Sequence, residues 1–157
     1  MNFLKKMVLQ IVVSLGILMG VLVILFGYKD IPLETLKETY ANTNSKFMNL
    51  EGMEVHYRDE GPKTDSIPIL LIHGTGASLH TFNDWAANLS KYRRVLRMDL
   101  PAYGLTGPFL DRNYSTEHYV KFIVMFLKEL EVEHCVLAGN SLGGKIAWNF
   151  TSTYPDR

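Results

Sequence analysis

The chain has 157 residues, 47% of them hydrophobic, and 16 Lys+Arg balance 16 Asp+Glu for a formal net charge of zero. That balance argues against a nucleic-acid binder, which carries a basic patch or stripe. A single cysteine, Cys135, excludes an internal disulfide framework and any multi-cysteine zinc site, and the 20% charged share is too low for a disordered chain.

Residues 1–6 form a basic start with Lys5 and Lys6, and residues 7–28 (MVLQIVVSLGILMGVLVILFGY) contain no charge. At about 1.5 Å per residue, a helix of this length covers roughly 33 Å, enough for a hydrocarbon core of about 30 Å. A cleaved signal peptide would have a shorter apolar region ending in small residues, whereas this run ends in FGYKDIP. The expectation is an uncleaved signal-anchor that meets the lipid bilayer through residues 7–28. Lys5 and Lys6 favour a cytoplasmic N-terminus with the rest exported to the periplasmic or extracellular side. Gly16 and Gly20 form a GxxxG, which can seat a second copy of the helix, although such spacings are common in apolar helices.

Residues 29–45 read as a connector, with Pro32 opening a short helix through Tyr40 and ANTNS supplying a turn. From residue 46 onward, strand and helix signals alternate. The segments 46–50 and 53–60 flank Glu51-Gly52 as a hairpin, and PILLIH (68–73) is an apolar run suited to a buried strand. A short helix is expected over 81–89, and RVLRMDL (94–100) is a second inner strand. Val120, Ile123, Val124, Leu127 and Leu130 recur at helical spacing over 116–130. HCVLA (134–138) then gives a third apolar strand, and 142–154 a final helix. A hairpin followed by β-α-β-α-β-α points to an α/β fold with a parallel central sheet.

The string Gly139-Asn140-Ser141-Leu142-Gly143 fits G-x-S-x-G between a strand and a helix, the context that strains a serine and exposes its hydroxyl. The helix beginning at Leu142 directs backbone N–H groups toward that serine, which suits a developing oxyanion. Residues 139–145 also satisfy the phosphate-loop pattern G-x-x-x-x-G-K. Ile146 stands where that loop needs Ser or Thr for magnesium, so nucleotide binding is the weaker reading. HGTG (73–76) follows the first inner strand, and DLPAYGLTG (99–107) follows the second.

These three strings, in this order, resemble the α/β-hydrolase superfamily over roughly residues 46–157, and EGMEVHYRDEG (51–61) is similar to the hairpin that opens many such domains. The anchor and helical connector are similar to those of a membrane-anchored bacterial subgroup. The resemblance implies Ser141 as nucleophile, with Leu142 N–H as one oxyanion donor and Thr75 N–H, or alternatively Gly76 N–H, as the other. It implies a structural role for Asp99, a small acyl-type substrate, and chemistry that needs no metal or organic cofactor. Ala102 departs from the glycine usual after Pro101. A serine at the elbow argues against the dehalogenase and epoxide-hydrolase branches, which use a carboxylate.

In that family the acid and the histidine follow the serine. After Ser141 this sequence has one acid, Asp156, and no histidine; His56, His73, His80, His118 and His134 all precede it. His73 reads as structural, His56 and His118 as solvated or half-buried, and nothing promotes any of the five to general base. Cys135 reads as a small buried hydrophobe and Lys145 as a solvated helix residue. Three further strands, a cap and the remaining triad members are implied beyond Arg157. The expectation is therefore an α/β-hydrolase fold incomplete after the nucleophile elbow and its helix, with little activity in this chain. HCVLA would then be an exposed apolar edge. The alternative is a non-catalytic anchored module that keeps the hydrolase framework for binding.

Overall fold

Glu51 and Gly52 both take positive φ, +50° and +83°, as a two-residue hairpin loop with the twist of its strands requires. The loop joins β1 (Lys46–Leu50) to β2 (Met53–Glu60) in antiparallel register, Leu50 opposite Met53 and Lys46 opposite Tyr57. The computed structural model describes residues 2–28 and 30–157. The chain divides into two units, Met1–Thr35 and Leu36–Arg157.

In the first unit α1 runs from Phe3 to Phe26, and its residues are exposed along its whole length. It begins before the expected apolar span and takes Lys5 and Lys6 into its first turns. It stops where Gly27 turns to extended backbone, with its N–H on Val23 O at 2.8 Å. Among the described residues it is the one helix long and apolar enough to cross a membrane.

A second helix, α2 (Leu33–Tyr40), leads into the larger unit, and the division between units falls inside it. The sheet there has the order β1-β2-β4-β3-β5, with β3 (Ile69–Ile72), β4 (Val95–Met98) and β5 (Val136–Gly139) parallel and the hairpin joined antiparallel through β2 and β4. The α/β expectation holds, and the helices α3 (Asn83–Leu89), α4 (Thr116–Glu129) and α5 (Leu142–Thr153) alternate with the inner strands. A 3₁₀ turn, Leu79–Phe82, precedes α3, where the pattern alone suggested a helix from residue 81; the Ser78 hydroxyl caps it by accepting from His80 N–H.

The two faces of the sheet differ. One carries Val55, Leu70, Ile72, Leu96 and Met98 against Phe122, Phe126, Ile146 and Phe150 of α4 and α5, and forms the main core. On the other, Leu71 and Val95 pack on Phe82 and Ala86, beside a strip of polar side chains from β2 and β4. Arg97 in that strip is 2% exposed, a charged side chain buried within the inner strand. Its Nε and Nη2 fork onto Glu60 at 2.8 and 3.2 Å, and its Nη1 reaches Leu79 O and Asn83 Oδ1. β5 lies at the sheet edge, with Val136 47% exposed, as expected for HCVLA in this chain.

Gly104 holds φ +53°, and a Cβ there would run into the Asp99 carboxylate. Gly104→Ala should therefore cost about 2–3 kcal/mol by adding backbone strain to disturbed hydrogen bonds. Gly107→Ala, whose methyl would meet only Met53 at 3.7 Å, should be close to neutral. Urea unfolding of the full chain in detergent compares the two.

Candidate active site

Ser141 sits between the end of β5 and the first residue of α5, with φ +53° and ψ −113°, a backbone conformation that a non-glycine residue adopts only when its surroundings impose it. The surroundings here are close packing on both sides. A Cβ on Gly139 would enter the Gly143 backbone, and one on Gly143 would enter the Ile72 and His73 carbonyls at the end of β3. Asn140 N–H donates to Ile72 O at 3.1 Å, fixing the turn onto that strand. The small residues at 139 and 143 thus let α5 start directly on the sheet, and they leave Ser141 exposed at its rim.

The chain leaving β3 passes beside this turn. A Cβ on Gly74 would stand 3.1 Å from Asn140 O and 3.2 Å from the Ser141 Cβ, so HGTG and the elbow are brought together. Thr75 and Gly76 are exposed there. Among the described residues, none accepts a hydrogen bond from the N–H of Leu142, Thr75 or Gly76. The Ser141 side chain makes no capping bond to α5. Beside Leu142 lies an open cavity of about 440 Å³ that Tyr103, Tyr114 and Tyr119 help to line. Leu105 and Phe109 are instead buried.

His73 shapes the HGTG loop from within. It is fully buried; Nδ1–H donates to Gly74 O at 2.8 Å and Nε2 accepts the Leu100 N–H at 2.9 Å, so both ring nitrogens are engaged in the neutral form. Burial holds its pKa below the usual imidazole range. The structural reading of His73 agrees with this geometry.

His56 departs from expectation. It is fully buried, with Nδ1 on Asp99 Oδ2 at 2.8 Å and Nε2 on Ser45 Oγ at 2.8 Å, and the Phe47 ring stacks on it at 5.0 Å. With the proton on Nδ1, facing the carboxylate, Nε2 accepts from the Ser45 hydroxyl. The order serine–histidine–aspartate resembles a catalytic set, but Ser45 Oγ also accepts the Asn42 N–H at 3.1 Å, and Phe47 covers the ring. The arrangement ties the turn before β1 to the sheet. Nothing local to His56 signals this, because its partner Asp99 lies 43 residues away.

Asp99 is 1% exposed, and its oxygens take N–H groups from Leu79 at 2.7 Å and Leu105 at 2.8 Å besides His56. Burial pushes its carboxyl pKa up, but the hydrogen bonds from His56, Leu105 and Leu79 prevail and hold it below the ordinary value. Of the other histidines, His118 lies 3.7 Å from Asp111, His134 is exposed, and His80 lines a separate cavity. Among the described residues, no histidine is hydrogen-bonded to Ser141. Cys135 is half-buried, and burial raises its thiol to about 11, which leaves it unreactive. Lys145 is exposed on α5. No cluster of three metal-ligating side chains occurs among the described residues.

A family model described as the alpha/beta hydrolase fold matches residues 67–157. The 2-hydroxy-6-oxo-2,4-heptadienoate hydrolase of Pseudomonas putida is 30% identical over 109 residues, covering 68% of this chain and 38% of the relative. The 2-hydroxymuconate semialdehyde hydrolase of a Pseudomonas species is 31% identical over the same length and shares. A crystal structure of a bacterial membrane phospholipase A aligns with TM-score 0.69 and 26% identity, covering 98% of this chain and 48% of that one. The chain spans about two fifths of the length of the curated relatives it matches.

The His73 geometry has a pH consequence. Its folded pKa lies below that of the unfolded chain, so as pH falls the unfolded chain takes up the proton first. The His73 contribution is complete above the ordinary imidazole value of about 6.5 and is lost as pH falls through the lower folded value. His73→Leu should lose about 1–3 kcal/mol at pH 8 by orphaning the Leu100 N–H, and its stability should decline less than wild type between pH 7 and 5. Urea midpoints across that range measure both effects.

Proposed function

The chain belongs to the α/β-hydrolase family, and from that premise we propose that Ser141 is the nucleophile of a membrane-anchored acyl hydrolase. The observation that carries this reading is the positive-φ serine at the strand–helix junction, with the HGTG loop passing within contact distance of it. In the proposed reaction Ser141 Oγ attacks an ester carbonyl and passes its proton to a base. The tetrahedral oxyanion is held by Leu142 N–H and by Thr75 or Gly76 N–H, and the alkoxide leaves as the carbonyl re-forms. Water then cleaves the acyl-enzyme by the reverse sequence of proton transfers. In this reading the base is neither His56 nor His73, whose ring nitrogens are both engaged elsewhere.

α1 supports the anchor by its length and apolar composition, with Lys5 and Lys6 on the cytoplasmic side and the hydrolase unit exported. Similarity to a membrane phospholipase A over 98% of this chain favours an acyl ester as the substrate class. Gly16 and Gly20, with nothing within 4 Å of an added Cβ, leave α1 a small-residue face on which a second copy could pack.

A fluorophosphonate probe should label the full chain in detergent slowly and at Ser141, with labelling abolished in Ser141→Ala. Turnover of p-nitrophenyl butyrate should stay near the level that oxyanion donors alone sustain, at most about 10³–10⁴-fold over water. Labelling elsewhere, or none on prolonged exposure, would favour the non-catalytic module. For the anchor, the full chain should remain in the membrane pellet after alkaline carbonate extraction, and external protease should reach the hydrolase unit in spheroplasts. Release by carbonate would exclude a spanning α1.

A further inference from the structure

The cavity that His80 helps to line is distinct from the tyrosine-lined one beside Leu142, yet it reaches the HGTG loop. Gly76 and Ala77 line it together with Leu36 and Tyr40 of α2 and with Leu105. Its volume is about 550 Å³, within the range of about 300–1,000 Å³ that small-molecule pockets occupy. α2 is fastened in place there. Lys37 Nζ pairs with Glu54 at 2.6 Å and lies 5.0 Å from the Phe47 ring centroid, and the Tyr40 ring stands 6.1 Å from that of His80. A helix that reads as a connector thus walls a pocket that also touches a proposed oxyanion donor.

The polar groups of this wall do not invite a charged ligand. Asp99 is held ionised, and its oxygens are already taken by His56, Leu79 and Leu105. The Ser78 hydroxyl caps the 3₁₀ turn. Burial, and then the charge of Arg58, hold the His80 pKa below the usual imidazole range, which leaves the ring neutral at neutral pH. No lysine or arginine is among the described residues that line the cavity. An anion would meet the Asp99 charge and no cation, whereas a hydrocarbon chain would meet Leu36, Ala77, Leu105 and the Tyr40 ring. The cavity beside Leu142, lined by Tyr103, Tyr114 and Tyr119, suits a more polar group.

We propose that this cavity is the acyl-chain subsite of the Ser141 site, that Leu36 and Tyr40 of α2 set its chain-length preference, and that the substrates are esters of medium-chain aliphatic acids. The proposal rests on Ser141 as the nucleophile. An ester carbonyl held between Leu142 N–H and Thr75 or Gly76 N–H sends its chain past Gly76 and Ala77 toward α2 and Leu105, and its alcohol toward the tyrosines. Each methylene buried in the cavity strengthens binding about fourfold, so the wall supplied by α2 separates octanoyl from acetyl esters.

The test has two arms, both on the full chain at one fixed detergent concentration. In the first, Ser141 is labelled with octyl and with ethyl fluorophosphonate, and the two rates are compared as a ratio. Leu36→Trp, which fills the cavity from α2, should cut the octyl-over-ethyl ratio about tenfold, as expected for the lost burial of about two methylenes. In the second, methyl decanoate carrying a diazirine at its chain end is irradiated with the wild type and with Ser141→Ala, and the adducts are mapped by peptide mass spectrometry. They should fall on Leu36, Tyr40 or Leu105 in both proteins, a result that depends neither on the reactivity of the serine nor on the folding of the α2 variant. An unchanged ratio in Leu36→Trp, or adducts confined to α1 or to Tyr103, Tyr114 and Tyr119, would overturn the subsite even with Ser141 labelled. Failure of both fluorophosphonates to label Ser141 would instead overturn the nucleophile, and the subsite as part of its site.

Discussion

The larger unit is organised around one carboxylate. Asp99 follows β4, and its hydrogen bonds reach the hairpin through His56, the 3₁₀ turn through Leu79 and the following loop through Leu105. Through His56 the connection extends to Ser45 and the turn before β1. In a buried setting each of these donors would cost about 1–3 kcal/mol if left unsatisfied, so the carboxylate sets four segments in place together. Gly104 completes the arrangement from outside, because only a residue without a side chain can pass the carboxylate at that distance. The HGTG loop is fixed by a parallel device: His73 spans from Gly74 O to Leu100 N–H, so the loop beside Ser141 and the loop after β4 are braced by adjacent polar groups.

These braces lie on one side of the sheet. The face toward α4 and α5 is filled by aliphatic and aromatic side chains and needs no directional bonds to hold. The face toward α3 buries charge, and most of it is matched: Arg97 by Glu60, Asn83 and Leu79, and Asp99 by its three donors. Partnered in this way, buried ions specify one arrangement of the surrounding loops more strictly than they add net stability. The division places the positioning of the candidate site on the polar face, while the apolar face supplies the bulk of the core.

Much of this was legible in the sequence. Glu51-Gly52 marked the hairpin between its two segments, the strands read at 68–73 and 94–100 contain the inner strands Ile69–Ile72 and Val95–Met98, and the Gly139–Gly143 string placed Ser141 at a strand–helix turn. The five-residue spacing carried that information because close backbone approach on both sides of the serine demands small residues. Illegible were the features that depend on partners distant in sequence. Nothing around His56 announces a carboxylate at residue 99, and nothing within RVLRM says that its second arginine is interior. Periodicity reports which face a side chain takes. It does not report whether a charge on that face has found its complement.

The backbone of Ser141 carries a further implication. Holding a serine at φ +53° costs on the order of 1–3 kcal/mol that glycine would not incur. The proposed reactive hydroxyl thus sits at a position where the chain would be more stable without it. Variants selected only for yield or foldedness would drift toward glycine at residue 141 and lose the hydroxyl. For this fold, selection for stability and selection for chemistry pull the same residue in opposite directions.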